Sequence, residues 1–188
     1  QQKNIAPSLS AQALENTAIS SSNAALYLKA TQAYSATNKP EKALQMIESA
    51  LQLDPCNLQY LKNKAEIANW LKKPEIAEAT YRKMLTISPT NPDAMLGIAK
   101  SYSARNDLYD AILAYGKYTE LYPTNKTAWI EYAYIYSWIG DNRKAAKTLA
   151  CYNKRFGCTT EYLKAKARIL ANAARPTPSL AIVKRLLC

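Results

Sequence analysis

Residues 126–156 read KTAWIEYAYIYSWIGDNRKAAKTLACYNKRF, and this stretch decides the fold. Apolar residues in its first half stand three, four and seven positions apart, at Trp129, Tyr132, Ala133 and Tyr136. That spacing puts four side chains on one face of a helix. The second half repeats the pattern at Ala145, Leu149 and Tyr152. Because Gly140-Asp141-Asn142 separates the halves, the stretch predicts two short amphipathic helices joined by a turn.

The chain repeats this helix pair at a fixed interval. Prolines recur 34 residues apart at Pro55, Pro89 and Pro123, and Gly157 takes the next place in the series. The turn positions are Asn38, Lys72, Asn106 and Gly140. Small residues recur in register with them at Ala43, Ala77, Ala111 and Ala145, and at Thr31, Ala65, Ala99 and Ala133. Such a period predicts stacked helix pairs that bury their apolar faces against neighbouring pairs.

These features resemble those of the tetratricopeptide repeat (TPR) family. The resemblance covers four complete repeats without insertion, at 24–57, 58–91, 92–125 and 126–159. The family's large residue at repeat position 4 is matched by Tyr27, Leu61, Met95 and Trp129, but Thr or Ala replaces its usual glycine at position 8. The resemblance implies an all-α fold, a right-handed α-α superhelix of antiparallel helix pairs.

The two ends of the chain depart from the repeat. Residues 1–23 are small and polar, so they are expected to form either an N-terminal cap, with a helix over 8–19, or a partly disordered segment. Residues 160–188 are expected to be C-terminal capping helices, because the last apolar face of a repeat array needs a cover. In the first of these helices, the apolar spacing predicts Leu163, Ala167 and Leu170 on the inner face.

In TPR-like proteins the first helix of each repeat lines a concave groove that receives a partner. Carried over by position, the resemblance implies these partner-binding residues: Gln32, Lys62, Asn63, Glu66, Asn69, Trp70, Lys100, Tyr134, Trp138, Lys164 and Arg168. Trp70 and Trp138 share a repeat position, and each is expected either to anchor a ligand or to pack against a neighbouring helix. The family's carboxylate clamp for chaperone C-termini is predicted absent, since only Asn63 fits its pattern.

Positive charge is concentrated in the last third of the chain. Residues 1–125 contain 13 Lys/Arg and 11 Asp/Glu, whereas residues 126–188 contain 12 and 3. Arg143, Lys144, Lys147 and Lys154 are expected to point outward. This pattern fits either a solvated face or a docking patch for an acidic protein or an anionic glycan. Nucleic acid is disfavoured as a partner, because the strict 34-residue period differs from the period of RNA-binding helical repeats.

Residue types needed for catalysis are scarce. The chain has no histidine, which removes the usual general base near neutral pH and the commonest zinc ligand. It has neither a glycine-rich phosphate loop nor a Cys-x-x-Cys pair. The sequence therefore predicts no enzyme, no cofactor and no metal site. No apolar run approaches the ~20 residues of a membrane-spanning helix, so the chain is predicted not to span a membrane.

Four cysteines, Cys56, Cys151, Cys158 and Cys188, leave two alternatives open. Cys188 could form a disulfide with Cys151 or Cys158, which would indicate an oxidising compartment. Otherwise all four are free thiols. The first residue is Gln1 rather than Met, which a removed secretory signal would explain.

Two hypotheses of function follow. The first is a non-catalytic protein-interaction scaffold that binds a peptide or helix of a larger assembly in its groove. The second is a TPR accessory module of a bacterial cell-envelope or outer-membrane polysaccharide export system. The basic last third, the groove tryptophans and the missing Met favour a periplasmic or envelope location over the cytoplasm.

Overall fold

The structure, a computed structural model, describes residues 10–174. Its helices are joined by short turns, and the described residues contain no strand. Its helices are α1 (Ala11–Ser21), α2 (Ala24–Ala36), α3 (Pro40–Leu53), α4 (Leu58–Trp70), α5 (Pro74–Ile87), α6 (Pro92–Ala104), α7 (Leu108–Leu121), α8 (Lys126–Trp138), α9 (Asn142–Phe156) and α10 (Thr160–Ala174). The predicted all-α fold of paired helices is confirmed here.

The chain divides into two compact units, with the boundary between Gly97 and Ile98 within α6. In the first unit, α2 packs on α3, α3 on α4, and α4 on α5. In the second unit, α7 packs on α8, α8 on α9, and α10 on both α8 and α9. Since α2, α4, α6, α8 and α10 begin 34 residues apart, the helix starts keep the period that the sequence shows.

Asparagine side chains begin the first helix of each pair. Asn23 Oδ1 accepts hydrogen bonds from the backbone N–H groups of Ala25 and Leu26, at 2.9 and 3.3 Å. The equivalent N-terminal contacts of the next three first helices are made by Asn57, Asn91 and Asn125. These bonds satisfy N–H groups that have no partner within the helix.

A left-handed residue ends the first helix of each pair. The φ angles are 57° at Asn38, 55° at Lys72, 65° at Asn106 and 83° at Gly140. The following backbone N–H then donates back to the first helix, as Lys39 does to the carbonyl of Tyr34 at 2.9 Å. This conformation reverses the chain within a few residues, so the second helix can return along the first. Pro40 and Pro74 occupy the first turn of their helices, where no N–H is required.

Small residues allow the helices of each pair to approach closely. Ala65, Ala99 and Ala133 are fully buried on the first helices, as are Ala43, Ala77, Ala111 and Ala145 on the second helices. Larger side chains fill the space around them, Ile47 in the first unit and Leu149 in the second. This combination gives the dense packing expected where helices cross.

Helix α1 lies against α2. Ala18 is fully buried, and Ala11 and Leu14 pack against the core of the first unit. The hydroxyl of Tyr34 on α2 contacts the Glu15 carboxylate of α1. Residues 10–21 thus cover one side of α2, and residues 1–9 lie outside the described range.

The buried face of α10 differs from the one predicted from the sequence. Leu163 is 53% exposed and Leu170 is 60% exposed, so the inner face predicted for this helix was wrong. Ala165 and Ile169 are buried instead, in the cluster that contains Ala133, Ala145 and Leu149. Leu163 and Leu170 keep helical spacing, but spacing alone did not show which of two apolar stripes would meet α8 and α9.

Two further expectations concern residues beyond the described range: the capping helix expected after α10, over residues 179–188, and a disulfide to Cys188. Cys56, Cys151 and Cys158 form no disulfide with one another. No helix among residues 10–174 is long and apolar enough to cross a membrane.

Candidate partner-binding site

Four of the predicted binding residues meet at a cleft in the first unit. Gln32, Asn63, Glu66 and Trp70 line a space of about 320 Å³ between α2 and α4. Ser35 and Ile67, which were not predicted, complete the lining. Trp70 is 46% exposed, so a large part of its ring faces solvent. The walls of this cleft combine one aromatic surface with amide and carboxylate groups.

The other predicted residues of the first unit already have partners. Lys62 Nζ lies 3.0 Å from Asp93 Oδ2, and this hydrogen bond raises the pKa of Lys62. Asn69 Nδ2 donates to the Tyr81 hydroxyl at 3.3 Å. The Asn63 amide donates to the Gln59 carbonyl of its own helix at 2.8 Å, which leaves its Oδ1 available at the cleft.

A second cleft lies in the second unit. Three predicted residues, Lys100, Tyr134 and Trp138, line a space of about 160 Å³. The rest of the lining is Ser103, Tyr115, Glu131 and Ile135. We call this set of seven residues the Trp138 cleft. Its wall is mainly apolar, with a lysine and a glutamate at one side.

Two stacked aromatic rings form part of the wall of the Trp138 cleft. The Tyr134 and Trp138 rings are nearly parallel, with an interplanar angle of 16° and their centroids 6.4 Å apart. The Arg168 guanidinium of α10 lies 4.8 Å from the centroid of the Tyr134 ring. These contacts hold the Trp138 indole in place while 47% of the residue stays exposed. A fixed, exposed indole is suited to binding an apolar group, because little side-chain freedom is lost on contact.

The Trp138 cleft also contains a hydrogen-bonded acid. The Tyr115 hydroxyl donates to Glu131 Oε2 at 2.7 Å, and Lys100 Nζ lies 3.9 Å from Glu131 Oε1. Burial, and then the Glu131 carboxylate, raise the pKa of Tyr115 above its ordinary value. The ion pair between Lys100 and Glu131 is long and solvent-exposed, so it is weak. The Lys100 ammonium can therefore donate hydrogen bonds to another partner.

Lys164 is one helical turn before Arg168 on α10 and is exposed, but it does not line the Trp138 cleft. Sequence reasoning missed Glu131 and treated Tyr115 as packing only. Tyr115 is buried, but its hydroxyl reaches the cleft. The available signal was a tyrosine and a glutamate 16 residues apart, at the spacing that joins one second helix to the next first helix.

Helix pairs that begin at 34-residue intervals and pack on their neighbours are the architecture of a helical repeat protein. The tetratricopeptide repeat family's model matches residues 24–56, which include α2 and α3, and the other helix pairs of the described chain repeat the same architecture. No curated protein sequence matches the chain.

Solved structures share this fold. A crystal structure of MamA protein has a TM-score of 0.69 and 17% identity, over 84% of this chain and 83% of that one. A tetratricopeptide repeat protein from Parabacteroides merdae has a TM-score of 0.67 and 18% identity, over 86% and 64% of the two chains. YrrB, described as a TPR protein with an unusual peptide-binding site, has a TM-score of 0.64 and 15% identity, over 93% and 98%. At these identities the likeness shows the fold alone.

Proposed function

We propose that this chain is a non-catalytic scaffold that binds a peptide or helix of a larger assembly. Its binding surfaces are the clefts between first helices, and the Trp138 cleft is the principal one. The observation that carries the proposal is the stack of Trp138 on Tyr134 beneath Arg168, which keeps a large apolar ring exposed and fixed.

The Trp138 cleft has the chemical composition of a protein-binding hot spot. Tryptophan, tyrosine and arginine are the residues that most often dominate binding energy at protein interfaces. A space of about 160 Å³ is large enough for one apolar side chain rather than a whole small-molecule ligand. Lys100 lines this space and Arg168 packs on the Tyr134 ring, so both cations can bind carbonyl or carboxylate oxygens of the same segment.

The first-unit cleft adds a second place for a side chain. Trp70 offers an exposed ring there, and Gln32, Asn63 and Glu66 supply polar groups that can pair with a peptide backbone. The fold also occurs in YrrB, a protein described as having a peptide-binding site. That likeness supports a peptide as the ligand.

The test is selection of peptides from a random display library on the purified chain, followed by affinity measurements. Trp138→Ala is expected to weaken the selected peptides about tenfold or more, because an anchor residue is removed. Tyr109→Ala is the matched control, since Tyr109 is a 76% exposed aromatic of α7 that lines neither cleft. Equal affinity of wild type and both Trp138→Ala and Trp70→Ala would reject the proposal.

The alternative is an accessory module of a bacterial polysaccharide export system. One observation favours it, the half-exposed rings of Trp70 and Trp138, since an indole face also stacks on a sugar ring. A glycan array read with the same variants distinguishes the two functions. If the chain bound a glycan, if Trp70→Ala or Trp138→Ala abolished that binding, and if no peptide were selected, the export-module function would be favoured over the scaffold.

A further inference from the structure

The outward face of α9 differs from the outward faces of the other second helices. Arg143, Lys147 and Lys154 are exposed on this face, and Ala150 lies between them. At 3.6 residues per turn these four residues fall within an arc of about 60°. The buried residues Ala145, Leu149 and Tyr152 lie on the opposite side of the helix. We call Arg143, Lys147 and Lys154 the cation stripe.

The cation stripe forms no salt bridge within residues 10–174, although the charge of Arg143 adds to the Lys144 backbone hydrogen bond in lowering the pKa of Asp141. Helix α9 contains no acidic residue, and none of the three cations forms a salt bridge or ring contact with residues 10–174. The other two cations of α9 are engaged. Lys144 Nζ lies 3.3 Å from Asp141 Oδ2, and the Arg155 guanidinium lies 5.4 Å from the Trp129 ring centroid.

The repeat itself provides a comparison for this face. The same four positions are Glu41, Gln45, Glu48 and Gln52 in α3; Glu75, Ala79, Arg82 and Thr86 in α5; and Tyr109, Leu113, Gly116 and Glu120 in α7. Arg82 is the single cation among these twelve residues, and it pairs with Glu78 at 2.7 Å. These positions carry a net charge of −2 in α3, 0 in α5 and −1 in α7, so a net positive outward face is specific to α9.

We propose that the cation stripe docks an acidic helix of a partner protein. Its cations are separated by four and then seven residues, so they line up along about 16 Å of one helix face. Carboxylates with the same spacing on a partner helix can face all three cations. Ala150 within the stripe and the exposed Ala146 beside it have no bulk that would prevent a second helix from approaching.

Other polyanions fit this face less well. A membrane-binding helix inserts apolar side chains, but Leu149 and Tyr152 of α9 are buried in the core of its unit, and the partly buried Phe156 packs against the Tyr152 ring. Single-stranded nucleic acid is bound by exposed aromatic rings as well as cations, and no aromatic residue occurs among the exposed residues of this face. None of the three cations lines the Trp138 cleft, so this surface is separate from the one in the proposed function.

The test uses a fluorescent alanine-based peptide of about 18 residues, long enough to hold a helix. Three glutamates in this peptide are spaced by four and then seven residues, and an isomer with the same composition spreads them around the helix. At low ionic strength the first peptide is expected to bind, and the isomer to bind several-fold more weakly. Carbodiimide cross-linking is expected to join the glutamates to Lys147 and Lys154.

Matched charge reversals identify the surface. Arg143→Glu/Lys147→Glu/Lys154→Glu is expected to weaken binding of the peptide about tenfold or more, because each contact becomes repulsive. Lys29→Glu/Lys83→Glu/Lys117→Glu changes net charge equally at exposed positions outside the stripe and is expected to have less than about a threefold effect. Circular dichroism checks that both variants remain folded.

Two results would overturn the proposal. One is equal loss of binding in the two charge-reversal variants, which would show attraction by net charge alone. The other is binding of single-stranded RNA or anionic phospholipid vesicles that is as tight as binding of the spaced peptide and as sensitive to the stripe variant, which would show a general polyanion surface.

Discussion

The ring of Tyr81 occupies the space in which a side chain at Gly97 would stand. A Cβ atom added to Gly97 would lie 2.4 Å from Cζ of Tyr81, and both residues belong to the first unit. One repeat later, the same two positions hold Tyr115 and Glu131, and there the tyrosine hydroxyl donates to the carboxylate. A tyrosine on a second helix is therefore accommodated in two ways, by a glycine beneath the ring or by an acid at its hydroxyl.

The first prediction concerns this contact. Gly97→Ala is expected to lower the free energy of unfolding by about 1–3 kcal/mol, because the added methyl group overpacks against a buried ring. This loss outweighs the gain of about 1 kcal/mol that alanine normally brings to a helix. In a Tyr81→Leu background the sign should reverse. Urea denaturation measures both, and stabilisation by Gly97→Ala in the wild-type chain would contradict the Tyr81 placement.

The second prediction concerns the left-handed turn residues. Lys72→Gly is expected to stabilise the chain by about 0.5–1 kcal/mol, because a lysine at φ 55° carries a backbone strain that glycine lacks. Gly140→Ala, at φ 83°, should destabilise it by a similar amount or more. No atom lies within 4 Å of a Cβ at Gly140, so this effect isolates the backbone. Opposite shifts in thermal unfolding midpoint are the expected result.

The third prediction separates two adjacent residues of α10. Ile169→Ala is expected to cost about 2–4 kcal/mol, since it leaves a cavity in the core of the second unit. Leu170→Ala should cost less than about 1 kcal/mol, because its side chain is exposed. Chemical denaturation of the two variants compares them directly, and the reverse order would restore the inner face predicted from the sequence.

The fourth prediction concerns alkaline pH. Burial, and next the Glu66 and Asp93 carboxylates, raise the pKa of Tyr81 to about 12, from about 10 in an unfolded chain. The folded state therefore holds this proton more tightly. This proton contributes about 2–3 kcal/mol to the free energy of unfolding. The contribution is fully present below pH ~10 and is lost as the pH rises towards ~12.

Tyr81→Phe has no proton to lose and provides the comparison. The difference in unfolding free energy between wild type and this variant should shrink by about that amount between pH ~9 and pH ~12. Lysine deprotonation affects both proteins equally and cancels in the difference. Parallel pH profiles of the two proteins would show that Tyr81 ionises normally.

Much of the fold could be predicted from the sequence because the same pattern of turn residues and alanines occurs in four repeats. Each turn position was visible as Asn38, Lys72, Asn106 or Gly140, and all four adopt positive φ. The alanines at the helix crossings recur in register and are buried as expected. A single occurrence of such a pattern would be ambiguous, but recurrence in phase removes the ambiguity.

The buried face of α10 was harder to predict, because the 34-residue pattern is not completed within residues 160–188. Its two apolar stripes are equally helical in spacing, so contacts with α8 and α9, which are not local in sequence, decide which one is buried. The clefts were predicted in outline by repeat position. Glu131 was missed because its role depends on the hydroxyl of a residue in the preceding helix pair.

The distribution of tryptophan has a practical consequence for following unfolding. Trp70 lies in the first unit, and Trp129 and Trp138 lie in the second. A chain that keeps Trp70 alone and a chain that keeps Trp129 alone would each emit from one unit only. Coincident fluorescence transitions would indicate that the whole array melts as one cooperative block, whereas separate midpoints would give each unit a stability of its own.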